Sequence, residues 1–444
     1  SYAYDDFNQM ISMSTYRDEA NWDGENWPTN TGTADTTSWL YDEATGLLTN
    51  KLYSDENGIF YVYSNDNKLT TRIWGSSGIE RIYSYDLNSG ELTNISYSVT
   101  NTADISFSYD RLGRQEIVID ALGTRTFAYN SNLQLDTETI DWGDATNIIT
   151  RSYATNGVVG RNTGFGLDSD YSVSYGFDEA GRFNSIIGVP MSGTTNSFSY
   201  SYLANSDLIS QLIENNFNLT NAWSYEVNRD LVTRVENIAG TNQVSKYEYS
   251  NDAIGRRTQR IDTLSGITTN TFGYNDRSEL ISAMMGTNSY NYVFDNIGNR
   301  IATTNNQQVV TYLANELNQY SQIITNSITN NLSYDLNGNL ISDGTWIYTW
   351  NGENRLICAS NGSIVVSMEY DYMGRRISKT AGGVTTRFVY DGWNMIQESN
   401  NADTNRYIWG LDLSQTLQDV GGVGALLSAA TESDGNSYFV FEDA

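Results

Sequence analysis

The chain has 444 residues, 53 acidic against 25 basic, for a net charge of −28 with no histidine and one cysteine. Without histidine there is no Ser-His-Asp or Cys-His nucleophile system and no imidazole metal site. Such an acidic surface repels phosphate backbones, which excludes nucleic acid as a partner for the outside of the molecule. The remaining composition, 32 Tyr and 37 Gly with only 2 Pro and 39 % hydrophobic residues, is that of strands joined by tight turns, not of a disordered chain.

In chain order, residues 1–40 read as irregular strands and a loop continuing from an upstream repeat, with "NWDGENWPTNTGTADTT" as a polar loop. A repeat then begins. Aromatic anchors fall at Tyr41, Tyr63, Tyr85, Tyr109, Tyr129, Tyr153, Phe177, Tyr202 and Tyr225. They continue at Tyr249, Tyr274, Phe294, Tyr312, Tyr334, Trp350, Tyr370 and Tyr390. A spacing of roughly 20–24 residues is one two-stranded unit, so 41–405 is predicted to be an array of β-hairpins. "GRNTGFGLDSDYSV" and "IIGVPMSGTTNSFSYSY" break the register and read as longer loops. At most one short helical turn is expected, around Leu413–Leu417. No apolar run is long enough for a membrane-spanning helix.

The repeats share one grammar. In "SFSYDRLGRQEIVID", Phe107 and Tyr109 alternate with serines in a period of two. Asp110 opens a turn by accepting backbone N–H bonds, Gly113 supplies positive φ, and Arg114 leads into the return strand. The same turn recurs at Phe177, Asp178, Gly181 and Arg182, and at Tyr370, Asp371, Gly374 and Arg375. At Tyr334, Asp335 and Gly338 it ends in Asn339. These residues read as structural turn elements, with the arginines beside turn carboxylates or stacked on neighbouring tyrosines. "DLNGN" faintly echoes a calcium loop, but its twelfth position is Trp346 instead of a chelating Glu. No catalytic, cofactor-binding or metal-binding residue is assigned.

The Y-D-x-x-G-R unit resembles the YD repeat of the rearrangement-hotspot (RHS) proteins, teneurins and toxin-complex C components. "RYIWGLDLSQTLQDVGGVGALLS" is similar to the opening of the RHS-associated core, matching it at Tyr407, Trp409, Gly410, Asp412, Gly421, Gly422 and Gly424. Ala425 replaces the usual glycine. The resemblance assigns 406–444 to the start of that core. It implies an all-β, spiralling sheet of hairpins forming a hollow shell or tube, or an arc of one. Bacterial members enclose a C-terminal toxin or effector and release it by self-cleavage at a D-P-x-G motif, and this sequence has no Asp-Pro pair.

The expected function is therefore structural: a β-shell of a secreted or surface bacterial protein that encloses or presents another segment of a longer chain, with no cofactor, nucleic acid or membrane insertion. An extracellular adhesion or carbohydrate-binding scaffold, with glycans as partners, is the alternative. A carbohydrate-active enzyme is the third reading, since paired carboxylates alone would suffice for it.

Overall fold

The computed structural model describes residues 1–16, 34–75, 77–191, 194–433 and 435–441. Among them are forty β-strands and no helix. Each strand is antiparallel to its chain neighbours wherever pairing is defined, as in Gln115–Asp120 with Gly123–Tyr129 and Gly123–Tyr129 with Leu135–Asp141. The all-β hairpin array expected from the periodicity is what the chain forms.

The strands divide between two compact units, each built from an early and a late stretch of chain. The first contains Ser1–Phe107 and Gly273–Ser367, the second Ser108–Phe272 and Met368–Ala444. In the second unit the two stretches share an aliphatic core. Ile140, Ile149, Leu167 and Ile186 from the early hairpins cluster with Ile377, Val389, Ile396 and Ile408 from the late ones. In the first unit the stretches meet through polar contacts instead. The Trp74 indole N–H donates to the Gly352 carbonyl at 2.9 Å, and Arg81 reaches the Glu353 carboxylate at 3.1 Å.

What joins one hairpin to the next is the repeat aromatic. Along most hairpins the pairing register slips by one residue at this position, as between Val62 and Tyr63, Ala128 and Tyr129, or Ser224 and Tyr225. A β-bulge of this kind re-aims the side chain. The ring then reaches back along the sheet. Tyr41, Tyr63, Tyr85, Tyr129, Tyr153, Tyr225, Tyr334 and Tyr390 donate their hydroxyls to main-chain carbonyls at 2.6–3.0 Å.

The acceptor follows a rule: it is the residue opposite the preceding bulge. Tyr63 bonds Leu48, which pairs with Tyr41, and Tyr85 bonds Leu69, which pairs with Tyr63. Tyr153 bonds Leu135, which pairs with Tyr129. Trp350 and Trp409 make the same contact through their indole N–H groups, to Leu340 and Met395 at 2.8 and 2.7 Å. Where Ala314 has no ring to offer, the contact is inverted. Tyr320, opposite Ala314, accepts from the Arg300 N–H at 3.0 Å.

Several expectations are corrected. The two stretches read as long loops are strands: Asn162–Leu167 with Tyr171–Phe177, and Phe183–Met191 with Thr194–Tyr202. Glycine misled the reading in the first case. Gly164 lies so close to its partner strand that a Cβ would stand 2.1 Å from the Val173 carbonyl oxygen. In the second, Pro190 falls at a register shift between Gly188 and Met191, where a missing N–H is tolerated. The bulge positions are Asn251 and Ala314, two residues beyond the aromatics Tyr249 and Tyr312 that mark these repeats in the sequence. Leu413–Leu417 is non-helical turn, not helix. Ala34–Tyr41 is a strand, while residues 21–33 of the polar loop lie outside the described residues.

Removing one hydroxyl tests the contact without disturbing the ring. Tyr129→Phe should lower unfolding free energy by about 1 kcal/mol in denaturant titrations. Combining it with Tyr63→Phe, a distant site, should roughly double the loss.

Candidate functional site

The predicted turn residues assemble as one repeated structure. The Asp110 carboxylate accepts the Leu112 and Arg114 N–H groups at 2.8 and 3.0 Å through one oxygen, and Arg114 Nε at 2.7 Å through the other. Gly113 has φ +77°. The Arg114 guanidinium then lies 4.0 Å from the Tyr129 ring centre, so each turn braces the aromatic of the following hairpin. Asp178 holds Arg182 N–H and Nε at 2.8 Å each, and Arg182 lies over Tyr202. Asp371 holds Arg375 in the same way, and Arg375 lies over Tyr390.

At Asp335 the Asn339 side chain replaces arginine, donating to the carboxylate at 2.9 Å. Gly181, Gly338 and Gly374 all have positive φ. Phe177 sits at its bulge without a hydroxyl, Tyr334 donates to Tyr320, and the Tyr370 hydroxyl lies 3.9 Å from the Met368 sulfur. Asp335 is committed to its own turn, and among the described residues no cluster of three potential ligands could hold a metal ion.

One turn is also part of a buried ionic seam in the second unit. Arg125, 1 % exposed, pairs with Glu138 at 2.5 Å and with Asp371 at 3.3 Å. Arg151 pairs with the other Glu138 oxygen at 3.2 Å and with Asp391 at 2.6 Å. Arg375 completes the row on Asp371 at 2.6 Å. Three arginines and three carboxylates thus alternate in sign along one row that joins the early and late hairpins. Taking so many charges out of water is tolerable only because each is paired. Burial raises the Asp391 carboxyl above its ordinary range despite Arg151 beside it. Burial likewise raises Asp120, whose carboxylate accepts the Tyr372 N–H at 2.7 Å.

The core-opening motif docks beside this seam. Arg406 is buried, donating to the Gln397 side chain at 3.0 Å, the Pro190 carbonyl at 3.0 Å and Asp170 at 2.7 Å. The Tyr171 hydroxyl donates to the Tyr407 carbonyl. Trp409 makes the bulge contact described above, and Gly410 admits the Tyr200 hydroxyl, which a Cβ would approach to 2.1 Å. Asp412 accepts the Ser414 and Val420 N–H groups at 2.9 Å each, fastening the following loop. Gly421, Gly422 and Gly424 have φ of +73°, +74° and +74°. A side chain at Gly422 would meet Asn394 Oδ1 at 2.2 Å, whereas Ala425 is accommodated in full burial.

The turn motifs did not signal Arg125, Glu138, Arg151, Asp391 or Arg406 as a set. The available signal was alternation: Arg125 shares a strand face with Phe127 and Tyr129, so a charge stands where the pattern asks for an apolar residue. Chemically the arrangement is a fastener. Its carboxylates are occupied by arginine forks and backbone amides.

Residues 228–409 match the family model of the teneurin YD-shell. The tRNA3(Ser)-specific nuclease WapA of Bacillus spizizenii is 34 % identical over 137 residues, 28 % of this chain and 6 % of that protein. The tRNA nuclease WapA of Bacillus subtilis is 34 % identical over 130 residues, 27 % of this chain and 5 % of that protein. Among solved structures the whole chain superposes on the TcdB2-TccC3-Cdc42 complex with a TM-score of 0.68 at 12 % identity, covering 26 % of that chain. For TcdB2-TccC3 the values are 0.65, 12 % and 27 %. At such identity the likeness is one of fold. The chain spans about a quarter of these structures and a small fraction of the WapA proteins.

Two measurements probe the fastener. Arg125→Ala should cost about 3–5 kcal/mol, because it strands buried carboxylates. Lys68→Ala, which removes a pair with the exposed Asp66 and a contact over the Tyr85 ring, should lower the melting temperature far less. The turns carry a pH signature. The Arg114 hydrogen bond holds the Asp110 carboxyl below its ordinary value, opposed by partial desolvation. Its contribution to stability is therefore present above the ordinary carboxyl pKa and lost as pH falls through the lowered folded value. The melting-temperature gap between the native protein and Asp110→Asn should be widest near neutrality and narrow as pH falls below the ordinary carboxyl range.

Proposed function

We propose that this chain, a YD-repeat member of the RHS/YD-repeat family, builds a structural β-shell that encloses or presents another polypeptide segment of a longer protein. The occupant class is a C-terminal toxin or effector, and the location is extracellular or at the cell surface. The observation that carries the reading is the hairpin-to-hairpin aromatic contact. It makes each repeat a wall unit whose polar groups are spent on its neighbours.

The fold shared with TcdB2-TccC3 supports the shell role. The WapA relatives are named as tRNA nucleases, yet the matched stretch is only 5–6 % of their length. That proportion supports reading the repeats as carrier and placing any nuclease or toxin activity elsewhere in such chains. The net charge of −28 supports a surface that stays soluble and repels nucleic acid. By this reading the region acts as a scaffold and not as a catalyst.

Limited proteolysis of the full-length protein tests the proposal. The occupant segment should resist cleavage while the repeats are folded, and Arg125→Ala should expose it at a lower denaturant concentration, in step with unfolding of the second unit. Cleavage of that segment in the intact protein at the rate of the isolated peptide would remove the enclosing role.

A further inference from the structure

In the first unit a cavity of about 270 Å³ opens between hairpin tips of the early and late stretches. It is slightly smaller than the ~300–1,000 Å³ typical of drug-sized ligand sites. On one side stand Tyr53 and Trp74, and on the other the turns carrying Leu317, Leu336 and Asn337. We propose that this cavity is a binding site for a neutral saccharide, one or two pyranose units in extent. The proposal is independent of the shell reading.

Three features select that chemistry. First, two aromatic rings line the cavity. Apolar ring faces pack against the C–H faces of a sugar while hydroxyls at its rim remain free to bond. Trp74 is held in place, by its indole bond to Gly352 and by the Arg72 guanidinium 3.9 Å from the ring centre. Tyr53 is 37 % exposed, with the Lys51 ammonium 5.1 Å from its ring centre on one side.

Second, the polar lining is amide. Asn57, Gln319, Asn337 and Asn354 contribute groups that both donate and accept, as sugar hydroxyls do. Asn337 donates to Asn354 Oδ1 at 3.2 Å, while its own Oδ1 is buried with no hydrogen-bond partner.

Third, the cavity's charge is wrong for ionic ligands. Its one charged lining residue is Asp55, which repels anions. Both Asp55 oxygens accept from Asn57, the main-chain N–H at 3.1 Å and the side-chain amide at 3.0 Å, and among the described residues no second or third acidic ligand joins it to hold a metal ion. The walls are also fixed relative to each other. The Ser54 hydroxyl donates to the Glu316 carbonyl at 3.0 Å, tying the tip that carries Tyr53 to the tip that carries Leu317. A site formed before the ligand arrives loses less freedom on binding.

The test uses the intact protein on an array holding neutral, sialylated and sulfated glycans. Saturation-transfer NMR follows, with methyl β-galactopyranoside, methyl α-glucopyranoside and any neutral glycan retained on the array. Neutral glycans should be retained and anionic ones not, with saturation passing from protein aromatic protons to the sugar ring. Tyr53→Ala should weaken binding at least about tenfold at an unchanged melting temperature, and Asn337→Leu should weaken it as much while also losing the bond to Asn354. Because Tyr53 is a half-exposed turn residue, its variant remains informative if Asn337→Leu unfolds. Retention of no neutral glycan, retention of anionic glycans alone, or full affinity in a folded Tyr53→Ala protein would each overturn the proposal.

Discussion

A single hydrogen bond organises this protein: an aromatic side chain at a β-bulge donating to the main-chain carbonyl opposite the preceding bulge. A lone hairpin in water is marginal, because one of its faces and both of its edges stay wet. Ladder bonds join the edges but leave the angle between successive hairpins free. The bulge turns the ring along the sheet, and the bond from Tyr63 to Leu48 or from Tyr153 to Leu135 pins that angle. The Asp-Arg turn then covers the ring, with Arg114 over Tyr129 and Arg182 over Tyr202. Turn, bulge and ring are thus one device spread across two repeats, and stability becomes a sum over neighbours.

The ionic seam does different work. The repeat device acts between sequence neighbours, whereas Arg125 and Arg151 join residues more than two hundred positions apart. Aliphatic packing of Ile140 or Ile149 against Ile377 or Ile396 supplies burial without direction. Alternating charges supply direction, since a slip of one residue in either stretch would strand an ion in the core. Asp371 belongs to both systems, as the turn carboxylate of its own hairpin and as the far partner of Arg125. A local motif is thereby tied to the long-range register. The seam's three arginines and three carboxylates cancel, so the net charge of −28 falls on the rest of the molecule.

Much of this was legible in the sequence because it is local. Alternation of Phe107 and Tyr109 with serines, then Asp110, Gly113 and Arg114, states strand, turn and return strand within nine positions. The all-β class and the hairpin period follow from such stretches. Two kinds of information were not legible. Glycines and prolines that serve close approach or a bulge, such as Gly164 and Pro190, look like loop residues until their neighbours are known. Partners far apart in sequence carry no mark of each other: Arg406 gives no hint that it will meet Pro190 and Asp170. Asn251 and Ala314 show a subtler failure. There the bulge lies two residues beyond the conspicuous aromatic, so a ring-based reading places the unit out of phase.

The acceptor in the organising bond is always main chain. Met10, Leu48, Leu69, Leu135 and Ile209 are apolar, yet Gln115 and Arg376 serve equally, because each offers only its carbonyl. Only the donor needs a particular residue, so any repeat can follow any other and still be fastened. Outside the hairpins that carry the ionic seam, a gene encoding such a wall can gain, lose or exchange whole repeats by recombination without first evolving a matching partner for the newcomer. Wall length is then a quantity that heredity can adjust one course at a time.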